Sequence, residues 1–195
     1  LVIGGVKYIE VDKAQKDKIY GTKQSLLDLN REVILKMIDE GAIDYAVAKR
    51  FKKSIIEKEK IHFCNSIDLS EDSLFVANYL CKCHTVAYVK ESIYWYYKYD
   101  QNTLSSFDDY YIEKIECEDE KIVTCLEKRY GTLRESTIWK RRIFSVYYYA
   151  IFYILQNELY SEKKKYQLLS FVCKKKNFRK NKKFSSILLK ATNKY

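Results

Sequence analysis

The sequence predicts a helix-rich α/β fold, and three observations support this. Apolar residues make up 47% of the 195 residues, enough to bury a sizeable core, so the composition excludes a disordered chain. The absence of proline and the presence of only 5 glycines disfavour collagen-like chains and turn-dense β-sandwiches. β-rich runs occur only before residue 105, and helical periodicity alone follows. We therefore predict two parts, residues 1–105 and a helical extension over residues 106–195.

The first part begins with an apolar run over residues 1–6, which predicts a strand that we interpret as lying within a larger protein. Residues 25–40 have apolar side chains at helical spacing and precede Gly41, so they predict a helix. A second helix is predicted over residues 46–60, with several basic side chains on one side.

A third helix is predicted to begin after Ser70, which is expected to cap it, with Glu71 and Asp72 in the first turn. Residues 84–89 and 93–99 are rich in β-branched and aromatic side chains and predict two strands.

The helical extension is predicted to contain helices over residues 106–130, 133–160, 163–176 and 184–190. Residues 143–155 are uncharged but too few for a membrane span, which requires about 20. Two interpretations stay open for them, a buried core helix and a helix that lies on a bilayer surface.

The basic charge is concentrated at the end of the sequence. Residues 162–195 contain twelve Lys or Arg and one acid, a formal charge of +11, whereas residues 1–161 sum to −1. A polybasic segment of this kind indicates an anionic partner, either a lipid surface or a nucleic acid, unless it is simply a solvated helix.

The six cysteines are expected to be free thiols in a reducing cytoplasm. Zinc is the alternative, because Cys81, Cys83 and His84 are close in sequence and His62 and Cys64 lie upstream. Paired CxxC spacing is absent, so buried free cysteines are favoured and no metal ligand is assigned.

The run from Ser70 to Phe75, SEDSLF, is a candidate catalytic segment. Spacing alone favours ordinary helix capping, since acids in a first turn are stabilised by the helix dipole. The dipole also keeps a carboxylate ionised there, so that it can accept a proton from a hydroxyl group in a cleft.

Five segments in order resemble the second half of bacterial family 2 glycosyltransferases. That family shows a KLFKR helix, an IRF segment, a GED.LF helix, an LYYYR strand and an NS.S loop. The matching segments here are AKRFKKSII (48–56), IHF (61–63), SEDSLF (70–75), IYWY (93–96) and NTLS (102–105). The resemblance covers about residues 1–105.

The resemblance implies a GT-A fold, a nucleotide-sugar donor, a divalent metal (manganese or magnesium) and inversion at the anomeric carbon. Asp72 matches the family's catalytic base, and Glu71 matches the acid beside it. Lys49 matches the basic position before the IRF segment, and Tyr96 lies on the aromatic strand. We take Asp72 and Glu71 as candidate catalytic residues, and Lys49 and Tyr96 as candidate substrate-binding residues.

Two departures from the family pattern matter. Ser70 stands where the family has glycine before the Glu-Asp pair. The family's N-terminal half, with the nucleotide-binding strand and the Asp-x-Asp that holds the metal, has no counterpart in these residues. We therefore expect the chain by itself to hold no metal and to be inactive.

The expected activity is sugar transfer to a glycan or lipid-linked acceptor in bacterial surface polysaccharide synthesis. The expected location is the cytoplasm, peripheral to the inner face of the cell membrane, with an anionic membrane surface as partner. One alternative is a non-catalytic, basic helical module that binds nucleic acid or acidic lipid. Another is a structural remnant that pairs with a separate N-terminal polypeptide.

Overall fold

The computed structural model describes residues 1–10, 16–18, 25–64, 69–98 and 110–175. In chain order the elements are β1 (Val2–Glu10), β2 (Lys16–Lys18), β3 (Ser25–Asp28), α1 (Arg31–Asp39), β4 (Lys49–Arg50), α2 (Lys53–Glu59), α3 (Glu71–Leu80), β5 (Thr85–Lys98), α4 (Tyr111–Tyr130), α5 (Thr137–Gln156) and α6 (Glu162–Lys174). The described fold is thus mixed α/β and rich in helix, as the sequence predicts.

The sheet is mixed, with strand order β2-β1-β5-β3. The central pair, β1 and β5, is parallel, from Val2 opposite Ala87 to Glu10 opposite Lys98, and its register shifts between Ile3 and Val6. β2 is antiparallel to β1, β3 is antiparallel to the first half of β5, and β4 pairs with the start of β1.

The predicted helix over residues 25–40 is wrong in its first third. Ser25–Asp28 form β3, which pairs with the first residues of β5, and its side chains alternate in burial. The helix begins after Asn30, whose side chain accepts a hydrogen bond from the Val33 N–H at 2.9 Å. Sheet pairing and this N-cap outweigh the helical spacing of the leucines.

Two further element predictions are corrected. The segments 84–89 and 93–99 are not two strands, because β5 runs without interruption from Thr85 to Lys98. The helix predicted over residues 46–60 is confined to α2, since Ala48 has a left-handed φ of 56° and the next two residues form β4. The predicted loop 102–105 and helix 184–190 lie outside the described residues.

The larger core lies between the sheet and the helices. β1 contributes Ile3, β5 contributes Tyr88, and α1 and α3 contribute Met37 and Tyr79. α4 and α5 also reach this core, through side chains that include Ile122, Leu126 and Trp139. A second core joins α4, α5 and α6 through Ile112, Tyr147, Ala150, Ile151, Ile154 and Val172. The division between residues 105 and 106 stays a prediction.

The described helices include none that is long and apolar enough to cross a membrane. In α5 the uncharged residues 143–155 have one face in the cores, including Tyr147 and Ile151, and an opposite face that is exposed.

Gly131 ends α4 with φ 74° and ψ −172°, a backbone conformation that side chains strongly disfavour. A Cβ added there meets no atom within 4 Å, so a substitution acts through the backbone alone. Gly131→Ala should lower the free energy of unfolding by about 1–3 kcal/mol, measured by urea denaturation. Thr132→Ala, at the exposed next position, should change it by less than about 0.5 kcal/mol. Equal stability of the two variants would contradict this account of Gly131.

Candidate functional site

The N-terminal end of α3 carries two of the predicted site residues. Glu71 and Asp72 lie in its first turn and are partly exposed. Ser70 occupies the N-cap position as predicted, but its side chain does not cap the helix. Ser70 has a left-handed φ of 56°, and its side chain makes no capping hydrogen bond. Its hydroxyl instead donates to the carboxylate of Glu118.

Glu118 on α4 is a buried carboxylate beside this helix end, with 6% of its surface exposed. It accepts hydrogen bonds from the Ser70 hydroxyl and the Leu69 N–H. Burial raises the pKa of Glu118 to about 7, although these two hydrogen bonds act in the opposite direction and Glu71 adds to the rise. Within the described residues Glu118 Oε2 has no hydrogen-bond partner. Glu118 can therefore exchange a proton near neutral pH.

The neighbouring carboxylate, Asp119, is tied into a buried ion-pair network. Arg142 on α5 donates from Nε to Asp119 Oδ1 at 2.9 Å and from a terminal nitrogen to Asp44 Oδ1. The backbone carbonyl of Asp44 accepts a hydrogen bond from Ser73 Oγ at 3.1 Å. Burial raises the pKa of Asp119, and the Arg142 charge opposes that rise. Asp44 thus connects α3 to α5.

Tyrosines surround Asp44 on the sheet side. The rings of Tyr8 and Tyr96 lie 5.6 Å apart and are tilted by 52°. Burial is the main cause that raises the pKa of Tyr8, and the neighbouring Tyr96 and Asp44 add smaller increases in that order. Partial burial raises the pKa of Tyr45, and Tyr8, Asp44 and Tyr96 contribute in that order. The phenols of Tyr8 and Tyr45 are therefore neutral hydrogen-bonding groups at ordinary pH.

Lys49 lies at the start of β4, directly after the turn that contains Asp44 and Tyr45. Its ammonium group donates to the backbone carbonyls of Tyr45 and Val47, so it helps hold this turn in place. The four predicted site residues relate to the Asp44 turn in different ways. Lys49 is bonded to the turn and Tyr96 is close enough to raise the pKa of Tyr45, whereas Glu71 and Asp72 only precede Ser73, which is bonded to it.

Sequence reasoning missed Asp44, Glu118, Asp119 and Arg142. A usable signal exists for two of them, because Asp119 and Glu118 lie at helical spacing from the buried Ile112 and Ile122. A carboxylate on the apolar face of a predicted helix is rarely buried without a partner. For Asp44 and Arg142, 98 residues apart, the sequence gives no comparable signal.

The cysteines and histidines do not gather into the zinc arrangement considered above. Cys83 is buried in the larger core, Cys81 faces Cys125 on α4, and the His84 ring contacts Arg129. Among the described residues no group of three or more His, Cys, Asp or Glu side chains is arranged to hold a metal ion.

Comparisons of this chain with models of known protein families, with curated proteins and with solved structures give no match.

Glu118 should make stability depend on pH. Its pKa in the folded state is about 7, above its ordinary value of 4.5, because burial favours the neutral form. The neutral carboxyl therefore contributes fully to the free energy of unfolding below pH 4.5, and this contribution is lost as the pH rises to about 7. Glu118→Gln should raise the free energy of unfolding at about pH 8 by about 1–2 kcal/mol, after allowance for solvent screening. It should have little effect at about pH 4.

Urea denaturation at the two pH values measures this difference. Glu158→Gln, at an exposed loop position, is the control and should leave the pH dependence unchanged. The same pH dependence in Glu118→Gln and the unmodified chain would rule out this role for Glu118.

Proposed function

We propose that this chain is the acceptor-side part of an inverting glycosyltransferase that resembles family 2 enzymes. The observation that carries the proposal is the N-terminal end of α3, where Asp72 and Glu71 adjoin the buried Glu118. Ser70 adds support, because its left-handed φ of 56° occurs at the position where the resembling family has glycine. A GT-A arrangement for residues 1–105 is part of the same proposal.

Asp72 is proposed as the base that activates the acceptor. Its carboxylate lies in the first turn of α3 and is partly exposed, and the described part of the chain gives it no ion pair. The carboxylate takes the proton from the acceptor hydroxyl while that oxygen bonds to C1 of the donor sugar. The bond from C1 to the nucleoside diphosphate breaks, and attack from the opposite face inverts the configuration.

The other residues are given supporting roles in this proposal. Glu71 maintains negative charge beside Asp72, and Glu118 supplies a group whose protonation changes near neutral pH. Tyr96 is exposed beside Tyr8 and offers a ring on which a sugar can stack. Lys49 holds the turn that carries Asp44 and Tyr45 next to that ring.

In this proposal the divalent metal implied by the resemblance is held by the family's N-terminal half and not by Asp44, Asp119 or Glu118. Asp44 and Asp119 are paired with Arg142, and Glu118 accepts hydrogen bonds from Ser70 and Leu69. The proton transfer proposed for Asp72 uses only side chains of this chain.

Asp72→Asn should lower sugar transfer by about a hundredfold to ten-thousandfold while donor binding is retained. The assay uses the complete natural polypeptide that includes these residues, with a panel of nucleotide-sugars, and measures release of the nucleoside diphosphate. Asp28→Asn on β3, an exposed position, is the matched control and should keep full activity. Normal turnover of Asp72→Asn would refute the assignment, and no transfer from any donor would refute the proposed activity.

A second proposal concerns a surface that we call the aromatic surface. It consists of the exposed rings of Tyr148, Tyr149, Phe152 and Tyr153, which helical spacing places on one side of α5. Tyr149 is 64% exposed, and Leu159, in the segment that follows α5, is 92% exposed. An apolar patch of this kind on a folded protein marks an interaction site.

We propose that the aromatic surface docks on an anionic bilayer at the inner face of the cell membrane. Tyrosine rings suit the boundary between lipid head groups and acyl chains. Lys163 and Lys174 are exposed on α6, and the sequence beyond residue 175 is rich in lysine and arginine. Each Lys or Arg close to anionic lipid adds about 1 kcal/mol.

The double variant Tyr149→Ser with Phe152→Ser should weaken vesicle binding by at least about tenfold, because two rings no longer enter the interface. Flotation with phosphatidylserine-containing and pure phosphatidylcholine vesicles measures this. Leu26→Ser, at a 72% exposed position on β3, is the control and should bind normally. Strong gel-shift binding of single-stranded oligonucleotides without flotation would instead favour the nucleic-acid alternative.

A further inference from the structure

Two cysteines face each other where α3 ends against α4. The sulfur atoms of Cys81 and Cys125 are 3.4 Å apart. The Cys81 thiol also lies 3.3 Å from the backbone carbonyl of Cys125, and the Cys125 sulfur lies 3.2 Å from Asn78 Oδ1. Both residues are partly exposed, so a small molecule in solution can reach them.

Hydrogen bonds between α3 and α4 hold the two helices together beside the cysteine pair. The backbone carbonyl of Leu80 accepts hydrogen bonds from the Tyr130 hydroxyl at 2.6 Å and from an Arg129 guanidinium nitrogen at 3.2 Å. These bonds fix the end of α3 against α4 next to the cysteine pair. To form a disulfide the sulfurs need only approach from 3.4 Å to about 2.0 Å.

The two thiols differ in acidity. The hydrogen bond with Cys81 lowers the pKa of Cys125 to about 7, with help from Lys128 and Lys82 and against the effect of burial. The same contact and burial raise the pKa of Cys81. Cys125 is therefore the thiolate that attacks first, and Cys81 is the thiol that resolves the intermediate.

We propose that Cys81 and Cys125 are a site of reversible disulfide formation that joins the end of α3 covalently to α4. The co-reactant is a small-molecule disulfide. This inference is independent of the proposed glycosyltransferase activity.

The reaction has two exchange steps. The Cys125 thiolate attacks one sulfur of the small disulfide, which forms a mixed disulfide and releases one thiolate. Cys81 loses its proton and attacks the Cys125 sulfur, which breaks the mixed disulfide and releases the second thiolate. The protein loses two electrons and two protons, and the small disulfide is reduced to two thiols.

The experiment incubates the whole chain with glutathione disulfide, blocks remaining thiols with iodoacetamide and maps the peptides by mass spectrometry. The expected product has lost two hydrogens and contains a peptide that links Cys81 to Cys125. Dithiothreitol should restore both thiols. Formation should accelerate as the pH rises towards about 7, in step with ionisation of Cys125.

Cys117→Ser is the matched control, because Cys117 is an exposed cysteine on the same helix. It should form the Cys81–Cys125 link as the unmodified chain does. Cys81→Ser and Cys125→Ser should each abolish the link. The proposal is overturned if the unmodified chain yields Cys81 and Cys125 as separate alkylated or glutathionylated peptides, or linked to other cysteines. That outcome does not depend on how well any variant folds.

Discussion

The arrangement of this molecule depends on the Arg142 guanidinium. From α5 it reaches Asp119 on α4 and Asp44 in the turn after α1, and it lies 5.6 Å from the centre of the Trp139 ring. The side chain of Asp119 is 1% exposed, so its charge requires a partner inside the protein. Because Asp44 also accepts a hydrogen bond from Ser73, this one cation fixes three helices around the candidate site. Without it, two carboxylates would face each other in a poorly solvated space.

The contact between α3 and α4 is the second organising feature. Glu118 meets Ser70 at one end, Cys125 meets Asn78 further along, and Tyr130 meets Leu80 at the other end. The two helices therefore run side by side in the same direction over the whole of α3. α4 belongs in sequence to the predicted helical extension, yet it supplies a buried carboxylate to the end of α3 that carries Asp72.

The spacing of apolar residues along the sequence is sufficient to predict much of the fold. It predicts only part of the candidate site. Long periodic segments predicted α3, α4, α5 and α6, whose ends moved by a few residues. Leucine spacing within the segment predicts a helix over residues 25–28. Their actual pairing is with β5, about 60 residues later, and no local spacing reveals it. The sequence suggests Glu71 and Asp72 as candidates because they lie within one motif, and their role stays a prediction. The Asp44–Arg142 pair depends on tertiary packing that no local pattern contains.

β5 differs in character along its length. Its first residues, Thr85 to Tyr88, pair with β3, and the last two of them also pair with β1; Val86 and Tyr88 are buried. From Ser92 onward the described pairing is with β1 alone, and the side chains of Ile93 to Tyr97 are exposed. Backbone hydrogen bonds with solvent beside them open at lower free energy than those in a core. One continuous strand thus changes from a rigid anchor to a locally compliant segment, and Tyr96 belongs to the compliant end.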